Sequence, residues 1–460
     1  MPHASNNLRG VSPPSPFHRT QDAVRARNPS LAGRNGPNAR PVPAPGAARR
    51  ERRLLAASYL MVSVSLLLPY LHPGLDNVRW IVLCIVLVPW LVTNIRWLER
   101  PALPAIVMAM VVANLVLRLL SIAWSPMPEY TAMRAVSLAL LWLYLIGFAS
   151  RVKASRLTSL GPLLILLFLA AVVLPGTLSW ALGRSTIPFT GYRLWLVGRF
   201  SGMTGNPNAL AIVLVVCAPI AIALCWQKKW KWWFVVVSAC CLHSLILSGS
   251  RAGIVGAMIG ITTLLAAYYK VRLFLPLGAF AVLLAWLTIT YSRDAQETLY
   301  EFAARREVTD SAEPISLPAL EEIGHSRFEQ WEAGWPSIRR RPLLGQGYGI
   351  GGTGRSLPGE YEVGYPLHNS LLQVWQENGL VGLLLLLPLI GLLFWHVWRR
   401  FVSTATHRDD LIFAGVAGSC LGGLTSAFFE SWLLSVGNLG TLPFWTCVFL
   451  FLSDSNERAR

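Results

Sequence analysis

The chain holds one imidazole at a boundary between polar and membrane-like sequence. His368 lies in YPLHNSLLQVWQENGLVGLLL at 365–385, where a long polar segment ends and an apolar run of hydrocarbon length resumes. Imidazole is the side chain whose ordinary pKa sits near neutrality, so it suits general-base work at physiological pH. Asn369, Ser370, Gln373 and Glu377 follow on the opening turns of a helix, and Gln373 and Glu377, four apart, share a face. A base with amide and hydroxyl groups beside it can take the proton of a sugar hydroxyl. The competing account is an interfacial histidine that is merely satisfied by its neighbours. The other histidines lack this setting: His243 falls inside an apolar run, His396 and His407 lie near basic loops, and His325 lies in the polar segment.

A second set of residues could hold an anion. Basic residues of a membrane chain gather on the cytoplasmic side, yet Arg193, Arg199 and Arg251 fall in links on the opposite side. Arg251, in ILSGSRAGIVGAM, occupies a link so short that its guanidinium stays at the membrane boundary, where full burial would cost roughly 3 kcal/mol on insertion scales. Snorkelling to lipid phosphate is one account. The other is that Arg199 and Arg251 converge on a diphosphate, since the fixed fork of a guanidinium matches phosphate oxygens bidentately. Gly202, Gly205 and Gly249 would let backbone approach the same anion.

The elements that must position these groups are membrane helices. The 460 residues are 54% hydrophobic and only 14% charged, with 19 Trp, which excludes an ordinary soluble composition. The net charge of +17 sits in short clusters between apolar runs, so it marks membrane topology and not a nucleic-acid face. The seven cysteines lie inside apolar runs without metal-ligand or CxxC spacing, and neither a disulfide framework, a metal nor another cofactor is expected.

Residues 1–53 carry ten arginines against Asp22 and Glu51 among Pro, Ala, Asn and Ser. They read as a disordered basic cytoplasmic tail. Spans of roughly 20 apolar residues are expected at 54–71, 78–95, 102–123, 130–149, 157–178, 207–226, 232–248, 252–269, 273–290, 370–396, 411–428 and 438–452. Arg96 and Arg100, Arg151 with Lys153 and Arg156, Lys228 with Lys229 and Lys231, Lys270 with Arg272, and Arg399 with Arg400 then share the tail's side. The expected fold is an all-α polytopic membrane protein of about twelve transmembrane helices. The domains are the tail, helices 1–9 over 54–290, an outer subdomain at 291–367, helices 10–12 over 368–452, and a cytoplasmic end at 453–460.

Two outer links are long. Within 291–367, residues 294–308 and 318–341 read as amphipathic helices, with Phe328, Trp331 and Trp335 at helical spacing and Pro342 as the stop. Gly347, Gly349 and Gly352 then have GxGxxG spacing. Without a preceding strand or a βαβ context this is not a dinucleotide site. It is expected to be a flexible link that positions His368.

Five motifs in order, SIAWSPMP at 121–128, GRFSGMTGNPNALA at 198–211, SGSRAG at 248–253, RPLLGQGYG at 341–349 and LHNSLLQVWQENGLVGLLLLL at 367–387, resemble the O-antigen ligase and polymerase superfamily. The resemblance covers most of 54–452. It implies a GT-C-like, metal-independent membrane glycosyltransferase of lipopolysaccharide biosynthesis, working on the periplasmic face of the bacterial inner membrane. One large periplasmic helical loop just before the His-Asn pair points to the ligase branch. The implied donor is undecaprenyl diphosphate-linked O-antigen and the implied acceptor is the lipid A core oligosaccharide, with membrane lipids around both and no obligate protein partner evident. The resemblance gives the base role to His368 and diphosphate contacts to Arg199 and Arg251. It adds Arg193, Asn206, Asn208, Ser250, Arg327, Asn369 and Gln373 as candidate substrate contacts.

A polymerase or a protein O-oligosaccharyltransferase would keep the donor site and change the acceptor. A secondary transporter is the non-enzyme alternative, and it would call for intramembrane acids and internal repeats. No acidic residue lies deep in an apolar run, and the two halves differ in loop pattern.

Overall fold

The computed structural model describes residues 45–71, 75, 78–99, 103–154, 159–188, 190, 193–196, 198–225, 231–269, 330–332, 334–351, 366–402 and 409–455. The chain divides into Met1–Arg49, of which residues 45–49 are described and helical, and Arg50–Arg460, which holds everything below.

The described residues are mostly helical: α1 Pro45–Leu71, α2 Val78–Glu99, α3 Ala105–Leu120, α4 Pro128–Ala154, α5 Leu160–Ala181, α6 Pro207–Cys225, α7 Lys231–Leu247, α8 Arg251–Tyr269, α9 Ser370–Val402, α10 Asp409–Ala427 and α11 Thr441–Ser455. A two-stranded antiparallel ribbon, β1 Trp195–Leu196 and β2 Arg199–Phe200, sits between α5 and α6. Among the described residues seven helices are long and apolar enough to cross a membrane, namely α1 to α6 and α9; α7, α8, α10 and α11 contain shorter apolar stretches. These helices fall where apolar runs were expected. The expected span at 273–290 and the amphipathic helix at 294–308 lie outside the described residues, and of the second outer helix residues 330–332 and 334–340 are helical.

Glycines set how closely the central helices approach. A Cβ at Gly256 would lie 2.8 Å from Gly422 O and one at Gly260 would lie 2.8 Å from Gly418 O. Such contacts need the missing side chain. The pairing of 256 with 422 and 260 with 418 makes α8 and α10 antiparallel, so Arg251 at the start of α8 lies beside the end of α10. Helix α6 joins them in the same register: Ala211 meets Gly253, Val215 meets Gly256 and Gly422, and Ile212 meets Gly440. Hence the starts of α6 and α8 and the link 428–440 share one end of the bundle.

The other end is pinned by charge. Arg151 donates to both carboxylate oxygens of Glu51, at 2.6 and 2.5 Å, and to Asn94 Oδ1, while Lys153 donates to Ser453 O. Four helices, α1, α2, α4 and α11, are thereby joined at the cation-rich end.

Helix α9 is broken by Gly379, whose φ is +65°. The glycine turn after Pro342 fills the break: Gln346 N and Gly347 N donate to Gln376 O and Glu377 O, and Leu380 N and Val381 N donate to Pro342 O and Leu343 O. A kink strands carbonyls and amides inside a helix, and here the turn satisfies them. The segment 345–351 is therefore a docked plug, not the flexible link expected. Gly345, at φ +69°, admits no Cβ, which would come within 2.4 Å of Glu377 C.

Candidate active site

His368 sits immediately before α9, and its placement is forced by the 428–440 link. Ser370 Oγ donates to Glu430 O at 2.7 Å and accepts from Trp432 N and Leu433 N, while Asn369 N donates to Ser431 Oγ at 3.0 Å. Trp432 then packs edge-on to Phe444, and Trp445 Nε1 donates to Leu433 O, anchoring the link to α11. The first turn of α9 and this link form one rigid seam.

The seam brings His368 Nδ1 to 2.8 Å from Glu430 Oε2. Glu430 is buried and the His368 side chain is 28% exposed, so the carboxylate is shielded while the ring keeps an open edge. A neutral ring in this pairing carries its proton on Nδ1, donates it to Glu430, and leaves Nε2 as the acceptor. His368 has φ +47°, a left-handed conformation rare outside glycine, found where surrounding structure over-determines a functional residue.

Arg199, on β2, lies at the starts of α6 and α8. Its Nε donates to Ser248 O at 2.8 Å and its Nη2 to Asn208 Oδ1 at 2.7 Å. Gly249 lies against it, and its φ of +57°, not lack of space, is what favours glycine there, since a Cβ would stand at an ordinary 3.5 Å from Arg199 Nε. Arg251 opens α8 two residues later. The helix register places both residues at one end of the bundle. That end is also the Glu430 end, because Arg251 lies beside the C-terminus of α10 and Glu430 follows it. Arg193 is exposed on the same lobe, bridged through backbone to Thr186.

Three expected substrate contacts have local structural work. Asn206 Oδ1 accepts from Asn208 N and Ala209 N, Asn369 Oδ1 accepts from Leu371 N and Leu372 N, and Ser250 Oγ accepts from Gly253 N. They are the N-caps of α6, α9 and α8. What each asparagine could offer a ligand is its Nδ2. Gln373 is turned inward, donating to Gly351 O and Glu377 Oε1, both at 2.7 Å. Arg327 lies outside the described residues.

Sequence reasoning missed two residues at this end. Glu430 stands in AFFESWLL, a lone acid in a short link, and only its pairing with His368 marks it. Arg134, in the second turn of α4, is a cation on the wrong side by the same topology rule that singled out Arg251. Its guanidinium donates to Tyr130 Oη and reaches Ser435 Oγ at 3.5 Å. A pocket of about 210 Å³ opens beside Arg134, lined by Arg134, Gln373, Glu377, Ser431, Ser435 and Tyr348 among others. Burial pushes the Tyr348 phenol well above its ordinary pKa, and it stays a donor, to Leu434 O.

Among the described residues no three His, Cys, Asp or Glu side chains group as a metal site. A shielded carboxylate, an oriented imidazole and arginines at helix starts can together accept a proton and hold an anionic leaving group.

No curated protein matches the chain. Residues 236–387, which run from α7 into the first half of α9 and include Arg251 and His368, match the family model described as O-Antigen ligase.

Proposed function

We propose that this protein is an O-antigen ligase in the strict sense. It would transfer O-antigen polysaccharide from undecaprenyl diphosphate to the lipid A core oligosaccharide, at the periplasmic face of the inner membrane, on a GT-C-like scaffold of about twelve spans. The observation that carries the reading is the His368–Glu430 pair at 2.8 Å. It gives the base a fixed tautomer at the end of the bundle where the arginines gather.

In this scheme His368 Nε2 removes the proton of the acceptor hydroxyl as its oxygen attacks the anomeric carbon. The new C–O bond forms while the bond to the diphosphate oxygen breaks, and the electron pair leaves with the diphosphate. Arg199 and Arg251 neutralise that growing charge, so the leaving group needs no proton. Glu430 stabilises the imidazolium until its proton passes to water. A single displacement inverts the anomeric centre.

Cells lacking the gene test the reading. A ligase deficit leaves long glycan on the polyprenyl carrier and lipid A core without polymer. Accumulation of single repeat units would overturn the ligase reading in favour of a polymerase.

A further inference from the structure

We propose that the pocket between α4, α9 and the 428–440 link is the subsite for the sugar ring that accepts the glycan. This rests on the transfer reaction proposed above and names where its second substrate binds.

The pocket borders the catalytic pair. Pro366 and Ser370, on its wall, flank His368 in the chain, and Ser431, also on the wall, follows Glu430. From there it runs along the face of α9 that carries Ser370, Gln373, Val374 and Glu377. At about 210 Å³ it is smaller than the roughly 300–1,000 Å³ of pockets for drug-sized ligands, which suits one ring and not a chain.

Its chemistry favours a polyol. A sugar hydroxyl donates once and accepts twice, so its site must present both kinds of partner. Arg134 and the hydroxyls of Ser431 and Ser435 supply donors. The Glu377 carboxyl group supplies acceptors, and Gln373, whose Nε2 is bound to Gly351 O and Glu377 Oε1, keeps its carbonyl oxygen for the same use. These groups are held in advance: Arg134 is braced by Tyr130 and stacks on its ring at 5.1 Å, and Glu377 is buried and bonded. Preorganisation of this kind is what a binding site needs.

The same inventory argues against the diphosphate. Arg134 is the one cation on the pocket wall, and Glu377 lines it too, so a diphosphate there would meet carboxyl oxygens beside a single guanidinium. Arg199 and Arg251 instead lie at the starts of α6 and α8, away from that carboxyl group. The 428–440 link serves both regions, since it leaves α10 beside Arg251 and then forms the pocket wall. In this proposal His368 serves an anion site at the starts of α6 and α8 and a polyol site in the pocket.

The test is direct binding of delipidated core oligosaccharide, and separately of undecaprenyl diphosphate-linked glycan, to purified protein in nanodiscs. Ser435→Leu fills the pocket and Arg134→Gln removes its cation. Each should weaken oligosaccharide binding about ten-fold, the scale of one lost charge-assisted hydrogen bond, and leave donor binding within about two-fold. Unchanged oligosaccharide binding in both variants would overturn the subsite, as would a loss confined to the donor. Should either variant fail to fold, Ser435→Cys, nearly isosteric, reports instead: bound oligosaccharide should slow its modification by a thiol reagent, and no protection would overturn the proposal. Wild-type protein that binds the oligosaccharide without transferring glycan would remove the proposed function and leave the subsite standing.

Discussion

Glu430→Gln removes a charge from the site while keeping the shape of the side chain. The Glu430 side chain is 7% exposed and its Oε2 lies 2.8 Å from His368 Nδ1, so the replaced group faces the ring across a contact that water does not reach freely. If the new amide turns its oxygen to the ring, the tautomer is kept but the imidazolium formed during transfer loses its counter-charge. If it turns its nitrogen, Nδ1 must accept and the proton moves to Nε2, which disables the base. A hydrogen bond to a charged group contributes about 1.5–3 kcal/mol, and each 1.36 kcal/mol is ten-fold in rate. Transfer should therefore slow about 10- to 150-fold in kcat, with KM for both substrates little changed, because Glu430 touches neither. Glu430→Asp should restore part of the rate. The assay is transfer by purified protein of normal thermal stability, together with the double variant. On a His368→Ala background, where the general base is already absent, Glu430→Gln should cost almost nothing further, since residues acting as a unit are not additive. A full additional loss in the double variant, or a normal rate in Glu430→Gln alone, would refute the pairing as the source of the effect.

Two other expectations follow from contacts. Arg199→Lys should lose most donor binding and activity although charge is kept, because an ammonium cannot hold Ser248 O and Asn208 Oδ1 with the fork geometry and still present a face to diphosphate; near-normal donor binding by Arg199→Lys at normal protein level would show that charge alone suffices. Gly418→Ala should destabilise the protein by about 1–3 kcal/mol through overpacking, its Cβ falling 2.3 Å from Gly260 O, whereas Gly391→Ala, with nothing within 4 Å, should be neutral or slightly stabilising; equal melting temperatures for the two variants would refute the close α8–α10 contact.

The helices were legible because the bilayer imposes a length and a composition; seven of the described helices meet both, and α7, α8, α10 and α11 carry shorter apolar stretches. Their ends were less so. The run at 370–396 continues as helix to Val402, since backbone hydrogen bonding has no reason to stop where hydrocarbon does. The run at 438–452 instead opens at Thr441, because Asn438 closes a turn onto Gly440 and Thr441 first. The break at Gly379 could not be read from NGLVG, as a lone glycine inside a helix is tolerated and its partner, the turn after Pro342, is remote in sequence.

The candidate site divides along a similar line. His368, Arg199 and Arg251 stood out because each is an exception to a rule about where charge or polarity belongs in a membrane chain, and an exception is visible in sequence. Arg134 was an exception of the same kind. It escaped notice because it falls within a helix already counted as apolar, past the link where outer cations were sought. Glu430 broke no rule: an acid in an outer link is ordinary, and its meaning comes only from the seam that Ser370 and Asn369 make with Glu430 and Ser431. The N-cap rule applies to Asn206, Ser250 and Asn369, polar residues at helix starts, and it accounts for the oxygens that a substrate reading would otherwise claim. A residue's role in this site is thus readable alone when it violates topology. It needs the fold when its chemistry depends on a partner from another link, as the tautomer of His368 depends on Glu430.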